Sequence, residues 1–325
     1  MSLHFNPRHP KKVLRVPPRA SLLAPSPAGI RRDSLVSMAF QRIVTHPGGA
    51  HQDEFLACCV LLARHPVSIH RREPDETDLA DPATAVVDVG GEHEPARGNF
   101  DHHQFPKDHP PLCALSLVLQ HLGVYDDARI FCDWLETTER FDTRGPFDTA
   151  KWLGVSRDSL AKLISPSDIT LLRRFAKSSV VMPGEILWEL MRWVGSDLLD
   201  YLATQRQRLS FLTEHTEFWD IATGADQFRV LFLPRTDPLP DEPSAGLDRF
   251  IASHPEKPEV AGLVYPDRRG SGFGLSRHRD HPRLDFTRID ACDDVHFAHA
   301  RGFVAKTSAT DPQRLRELLG LAWTG

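Results

Sequence analysis

The sequence predicts an α/β protein: a mostly parallel sheet first, then a helical connector, then a smaller α+β region. Three observations predict it. Strand-length apolar runs alternate with helix-length ones over the first part of the chain, the pattern of parallel strands joined by helical crossovers. Residues 155–215 then carry helical patterning alone, and beyond 217 strand-like runs return. With 325 residues the chain exceeds one core of usual size, so two domains are expected, 40–216 and 217–325, behind a head of residues 1–39.

The elements follow in order. Gln41 to Thr45 is an apolar strand ending in the turn signal His46-Pro47-Gly48-Gly49. Asp53 opens an apolar helix, Phe55 to Ala63, with carboxylates in its first turn as the helix dipole prefers. Val67 to Arg71 alternates as a strand does, and Ala85 to Val89 is a short buried strand closed by Gly90-Gly91. Helices are expected over Leu112 to Leu122 and Ala128 to Phe141, and a long one from about Gly184 to Leu212. Phe228 to Leu233, Val260 to Tyr265, Gly272 to Arg277 and Val295 to Val304 read as strands, and Asp311 to Leu321 as a terminal helix. Pro234 to Pro243 is a proline- and aspartate-rich loop.

Composition bounds the function. Apolar residues make up 41% and charged residues 26%, as in soluble globular proteins. No apolar run approaches the roughly 18 residues of a bilayer span. The five cysteines, an odd number without a Cys-x-x-Cys pair, do not read as a disulfide framework or a thiolate zinc site, and a reducing cytoplasm is expected. The head carries Arg8, Lys11, Lys12, Arg15, Arg19, Arg31 and Arg32 against Asp33 alone, a net of +6 within a total of −5, which leaves the body near −11. It reads as a flexible tail; an organelle transit peptide, or a start of translation at Met38, are the alternatives. Nothing in the residues sets an oligomeric state.

Three polar clusters fall just past strand ends, where an open α/β sheet places its site. They are His46 with His51 and Asp53, then Asp88, then Asp101-His102-His103. Imidazoles mixed with carboxylates suit Mn²⁺, Zn²⁺ or Fe²⁺, and more carboxylate favours Mg²⁺ or Mn²⁺. Two such ions about 3.5–4 Å apart can generate hydroxide and clamp a phosphoryl group. Each cluster alone would pass as surface decoration, a turn cap or a solvated loop. In this order and at strand ends they read as one metal site, with Asp88 and Asp53 as bridging or terminal ligands.

The order His46…His51-x-Asp53, then Val86-Val87-Asp88-Val89-Gly90-Gly91, then Phe100-Asp101-His102-His103-Gln104, resembles the Myg family of DHH-type phosphoesterases. Val264-Tyr265-Pro266-Asp267 and Phe297-Ala298-His299-Ala300-Arg301-Gly302-Phe303 resemble that family's last strands, so the likeness runs over about 42–307. It implies a metal-dependent phosphodiester hydrolase related to 3′-to-5′ RNA exonucleases, with two ions, Mn²⁺ first and Mg²⁺ second. The substrate would be a short RNA or a dinucleotide, held between a metal-bearing first domain and a substrate-binding second one. By position, His46, His51, Asp53, Asp88 and His102 would be ligands, and Asp88, Asp101 and His103 the catalytic group, with His103 facing a phosphoryl oxygen. Asp142 would be the last ligand, with Glu139 as second choice. His299, Arg301 and Gly302 would bind substrate, and Lys306 is a weaker candidate. The sequence departs from the family in Asp142-Thr143-Arg144, where relatives carry Asp-Asn-Gly, and in Cys113-Ala114-Leu115 beside the phosphate. Alternatives are hydrolysis of a small phosphate compound, such as a dinucleotide or pyrophosphate, and a non-catalytic metal or nucleotide sensor.

Other motifs read as structure. His278-Arg279-Asp280-His281 is expected to be solvated, Cys58 and Cys59 to lie in the core, and Trp188 and Trp193 to pack rather than stack on bases.

Overall fold

The computed structural model describes residues 39–324 apart from 225 and 257. The basic head, its suggested tail and Met38 therefore lie outside the described residues, but for position 39. The chain is α/β, with two six-stranded mixed sheets and many helices.

The first sheet is built from β1 (Arg42–Thr45), β2 (Ser68–Arg71), β3 (Thr84–Val87), β4 (His93–Glu94), β5 (Asn99–Phe100) and β6 (Val180–Val181), in the order β4-β5-β3-β1-β2-β6. The four inner strands are parallel and the two edge strands antiparallel. A strand at the middle of such a sheet is covered on both faces, and Thr84-Ala85-Val86-Val87 is buried at every position. The crossover between β1 and β2 is α1 (Gln52–Arg64), whose Phe55, Cys58, Cys59, Leu61 and Leu62 enter the core. The crossover between β2 and β3 carries α2 (Glu76–Ala80), fixed by a reciprocal cap between Asp75 and Asp78.

Beyond the sheet come α3 (Ala114–His121), α4 (Tyr125–Phe131), α5 (Asp133–Leu153), α6 (Arg157–Ala161), α7 (Pro166–Lys177) and α8 (Ile186–His215). Two expectations change here. The single helix expected over 128–141 is two, parted at Cys132, and the second continues to Leu153 through a break at Gly145-Pro146. Proline lacks the N–H for the ladder, and Gly145 sits at φ 78°, so the axis turns there. The region 155–215 is not wholly helical, because Val180 and Val181 add the edge strand β6 against β2. The long helix α8 lies on α1 at Gly195, where an added Cβ would fall 1.9 Å from the Cys59 carbonyl oxygen. Only glycine permits that approach.

The second sheet holds β7 (Glu217–Thr223), β8 (Asp226–Phe232), β9 (Gly262–Pro266), β10 (Phe273–Arg277), β11 (Val295–Ala298) and β12 (Val304–Thr307), in the order β11-β12-β10-β9-β8-β7. All its pairings are antiparallel except β8 with β9, whose connection carries α9 (Leu247–Ser253). The terminal helix α10 (Pro312–Ala322) lays Leu315, Leu318 and Leu319 on this sheet, beside the stacked pairs Trp219–Phe232 and Phe228–Trp323. The strand expected over 295–304 is instead the hairpin β11–β12, turning at Gly302 with φ 66°. His278 is buried rather than solvated and its Nδ1 bonds the Val260 carbonyl. Trp188 packs as expected, while Trp193 is exposed. Among the described residues no helix is long and apolar enough to cross a membrane.

Candidate metal centre

Three adjacent parallel strands end on the same rung. Thr45 pairs with Val87, and Val87 with Phe100. The next residue of each strand, His46, Asp88 and Asp101, therefore emerges at one rim of the sheet. This is the rim that α1 faces with its first turn, so Asp53 (1% exposed) and Glu54 (0%) are driven under the same loops. Asp88 adopts a left-handed backbone, φ 59°, a conformation that few residues other than glycine accept, asparagine and aspartate among them. It is followed by Gly90 and Gly91, also at positive φ. This sharp turn keeps the Asp88 carboxylate buried between the neighbouring histidines.

The distances describe one cluster. His102 Nε2 is 3.1 Å from Asp88 Oδ1 and 2.9 Å from Asp142 Oδ2. His46 Nε2 lies 3.5 Å from Asp88 Oδ2 and against Glu54 Oε2. His51, more exposed, has Nδ1 3.7 Å from Asp142 Oδ1. Three groups have ligand atoms within 4.8 Å of one another: His46, His51, Glu54 and Asp88; Asp53, Asp88, His102 and Asp142; and Asp88, Asp101, His102 and His103. Each could hold a metal ion, and Asp88 is common to all three. The structure thus brings together His46, His51, Asp53, Asp88, Asp101, His102, His103 and Asp142, out of segments scattered over about a hundred residues.

Glu139 does not join them. Its buried carboxylate accepts hydrogen bonds from Ser116 Oγ, Tyr125 Oη and Arg129 Nη1. Three residues on, the helix turns Asp142 toward His102 instead, so of the two candidates for the last carboxylate only Asp142 faces the cluster. Asp101 is similarly engaged: Oδ2 accepts the Gly91 N–H at 2.6 Å, and Oδ1 holds both the backbone N–H and the Nδ1 of His103, at 3.0 and 2.7 Å. It orients His103.

Two further residues belong to the site. Glu54 shares the first group, and Arg71, at the end of β2 and 4% exposed, lies beneath it. Arg71 donates to Glu54 Oε1 at 2.9 Å and to the carbonyls of Gly48, Gly49 and Phe175. It ties the glycine loop after His46 to α1. The only sequence signal for Glu54 is its place beside Asp53 in the first helical turn; for Arg71 it is a cation at the inward-facing end of an alternating strand.

Electrostatics follow from this crowding. Burial pushes the Asp53 carboxyl well above its usual range, and Asp88 and Asp142 push it further. Its Oδ2 accepts the Ala114 N–H at the start of α3, but Oδ1 is buried without a hydrogen-bond partner. A buried carboxylate oxygen lacking a partner is costly unless a cation reaches it, so this donor set fits a divalent ion. Asp88 is also raised by burial, but hydrogen bonds from His102 and His46 outweigh this and bring it to about 2. In return His46, bonded to Asp88 and Glu54, rises to about 10. Burial lowers His102, yet Asp142 and Asp88 overcome it and carry it to about 10 as well.

A cleft of about 320 Å³ opens over the cluster, lined by His46, His51, Asp88, Gly90, Asp101 and His103. A second hollow of about 210 Å³ adjoins it, lined in part by His102, His103 and Asp142. His299, Arg301 and Gly302 line neither. They form the β11–β12 turn: Gly302 N–H bonds the His299 carbonyl, and a Cβ at Gly302 would fall 2.0 Å from Asp285 Oδ1. Neither His299 nor Arg301 is in a strand, although the sequence over 295–304 reads as one.

Comparison with known proteins supports the Myg resemblance over the first part of the 42–307 span alone. Residues 42–125 match the MYG1 exonuclease family model, described as "Uncharacterised protein family (UPF0160)". A rat protein named MYG1 exonuclease is 45% identical over 71 residues, 21% of this chain and 18% of the relative. The human protein of that name is 44% identical over 71 residues, again 21% and 18%, and the mouse one 40% over 82 residues, 24% and 20%. The matched part spans about a fifth of the length of these relatives. No solved structure matches. The family match includes every strand-end ligand candidate from His46 to His103 and stops before Asp142.

Proposed function

We propose that the chain is a metal-dependent phosphodiester hydrolase that removes nucleotides from the 3′ end of short RNA, using two divalent ions. The observation that carries this is Asp88, a buried carboxylate shared by all three potential metal-binding groups. One oxygen faces His46 and the other His102, the disposition of a bridging ligand. The names of the relatives support exonuclease activity.

His46, His51 and Glu54 would hold one ion, and Asp53, His102 and Asp142 the other, with Asp88 between. The mixture of imidazole and carboxylate favours Mn²⁺, with Mg²⁺ second. When bound, such a pair supplies hydroxide near neutral pH and neutralises charge on the phosphoryl group. Asp101 holds Nδ1 of His103, which leaves the exposed Nε2 to meet a phosphoryl oxygen. In this reading residues 40–216 form a DHH-type metal domain and 217–325 close over it, with His299 and Arg301 reaching the substrate. Arginine would then add a planar fork to the phosphate.

A second reading, hydrolysis of a dinucleotide or pyrophosphate, is favoured by the acidic body, near −11 outside the head, which repels long polyanions. Incubating the protein and Mn²⁺ with pyrophosphate, dinucleotides and RNA of increasing length separates the two by the length at which turnover peaks. Asp88→Asn should lower the preferred activity by about a hundredfold or more, since several kcal/mol of charge stabilisation are lost. Full Mn²⁺-dependent cleavage by Asp88→Asn contradicts the proposal, and metal binding without turnover points to a sensor.

A further inference from the structure

The second hollow has features the metal chemistry does not require. His103 lines both it and the cleft over the metal groups, so the two spaces share the side chain assigned to the phosphoryl oxygen. Its far wall is the loop after His103, where the rings of Phe105 and His109 lie 4.4 Å apart at 30°. That wall is fixed in place. Phe105 packs on the core and meets His93 edge-on at 5.8 Å, and His109 Nδ1 bonds the Pro110 carbonyl at 2.7 Å. Arg144, from α5, donates to the carbonyls of Lys107 and His109 and so straps the loop to the helix. Neither Arg144 nor the exposed Lys107 has an ion-pair partner among the described residues. A site floored by carboxylates thus acquires a cationic, aromatic wall in this loop. At about 210 Å³ the hollow lies below the roughly 300–1,000 Å³ of drug-sized pockets, room for one nucleoside and not for a duplex.

We propose that this hollow is the subsite for one of the two nucleosides flanking the scissile phosphate, its base lying against Phe105 and His109 and its next phosphate meeting Lys107. Aromatic side chains hold any base by its π-face, and a nearby cation adds the backbone contact. The inference rests on the phosphodiester reading above and names where the substrate's base goes.

The test uses a dinucleotide containing 2-aminopurine, whose fluorescence is quenched on stacking. It also uses the two methyl esters made by replacing either nucleoside with methyl. Phe105→Leu keeps the apolar volume but removes the ring, and Lys107→Ala removes an exposed charge. Phe105→Leu should weaken quenching and raise KM for the dinucleotide about tenfold. It should raise KM for one methyl ester and leave the other, which lacks the seated nucleoside, unchanged, with kcat unchanged throughout. Lys107→Ala should raise KM for a 5′-phosphorylated trinucleotide more than for the dinucleotide. Quenching absent in the wild type, or equal in wild type and Phe105→Leu, overturns the subsite, as does an equal loss on both methyl esters. If the wild type cleaves none of these esters yet quenching depends on Phe105, the hydrolase reading fails and the nucleoside subsite stands.

Discussion

Asp88 combines a left-handed backbone, nearly complete burial and two histidine partners, a combination that a protein maintains only where the surroundings over-determine it. Its titration and that of its partners give a signed prediction. Asp88 is lowered from 3.8 to about 2, so its contribution to stability is present above about 3.8 and lost as pH falls toward 2. His46 and His102 are raised from 6.5 to about 10, so theirs is complete below 6.5 and lost as pH rises through 10. The metal-free protein should therefore lose Tm between pH 7 and 10. Because metal must displace those protons, Mn²⁺ affinity should rise with pH over the same window and binding should release protons. Calorimetric titrations in buffers of different ionisation enthalpy measure both; proton-neutral binding contradicts the account. Arg71 gives a second prediction. Arg71→Ala leaves Glu54 Oε1 buried without its partner and frees the glycine loop after His46, which should cost about 3–5 kcal/mol of stability and about 10–100-fold in metal affinity. An unchanged Tm and Mn²⁺ isotherm would show the strut to be idle. The ligand candidates were legible in sequence because imidazole and carboxylate stand next to turn signals. Glu54 and Arg71 were not, because an acidic helix start and an arginine in a strand each have a common structural explanation.

At the level of elements, the rim works because β1, β3 and β5 stop on one rung, and each stops for a local reason: His46-Pro47-Gly48, the positive-φ run from Asp88 to Gly91, and the Asp101 carboxylate turning back to the Gly91 N–H. The strands β1 and β3 and helix α1 were readable from apolar runs, and β2 from alternation. The two-residue strands β4, β5 and β6 were not, since a run that short has no period and pairs only because a neighbour supplies the ladder. The β11–β12 turn was missed although Gly302 marks it, because the flanking residues alternate as a strand does. Helix α1 holds Asp53 and Glu54 in register through its contact with α8, and Gly195→Ala tests that contact. The added methyl meets backbone rather than a side chain, so the helices must part, at a cost of about 1–3 kcal/mol. Denaturant unfolding should show a lower midpoint with m unchanged; a midpoint equal to wild type contradicts the close crossing.

Across the whole molecule, each sheet has its own buried cluster, and α8 belongs to both halves: Leu199 and Leu202 pack in the first core, and Leu212 in a third cluster with Leu231 and Phe250. The α/β class was legible because it rests on strand-length and helix-length apolar runs alternating over long windows. The relation between the hairpin bearing His299 and Arg301 and the rim was not, because it depends on packing between distant segments that no local pattern encodes. The central claim, a pair of ions bridged by Asp88, is tested most directly by anomalous diffraction from crystals of the protein grown with Mn²⁺. Two peaks about 3.5–4 Å apart, with the Asp88 carboxylate between them and His46 and His102 on opposite sides, are predicted. A single peak, or peaks away from Asp88, would contradict it.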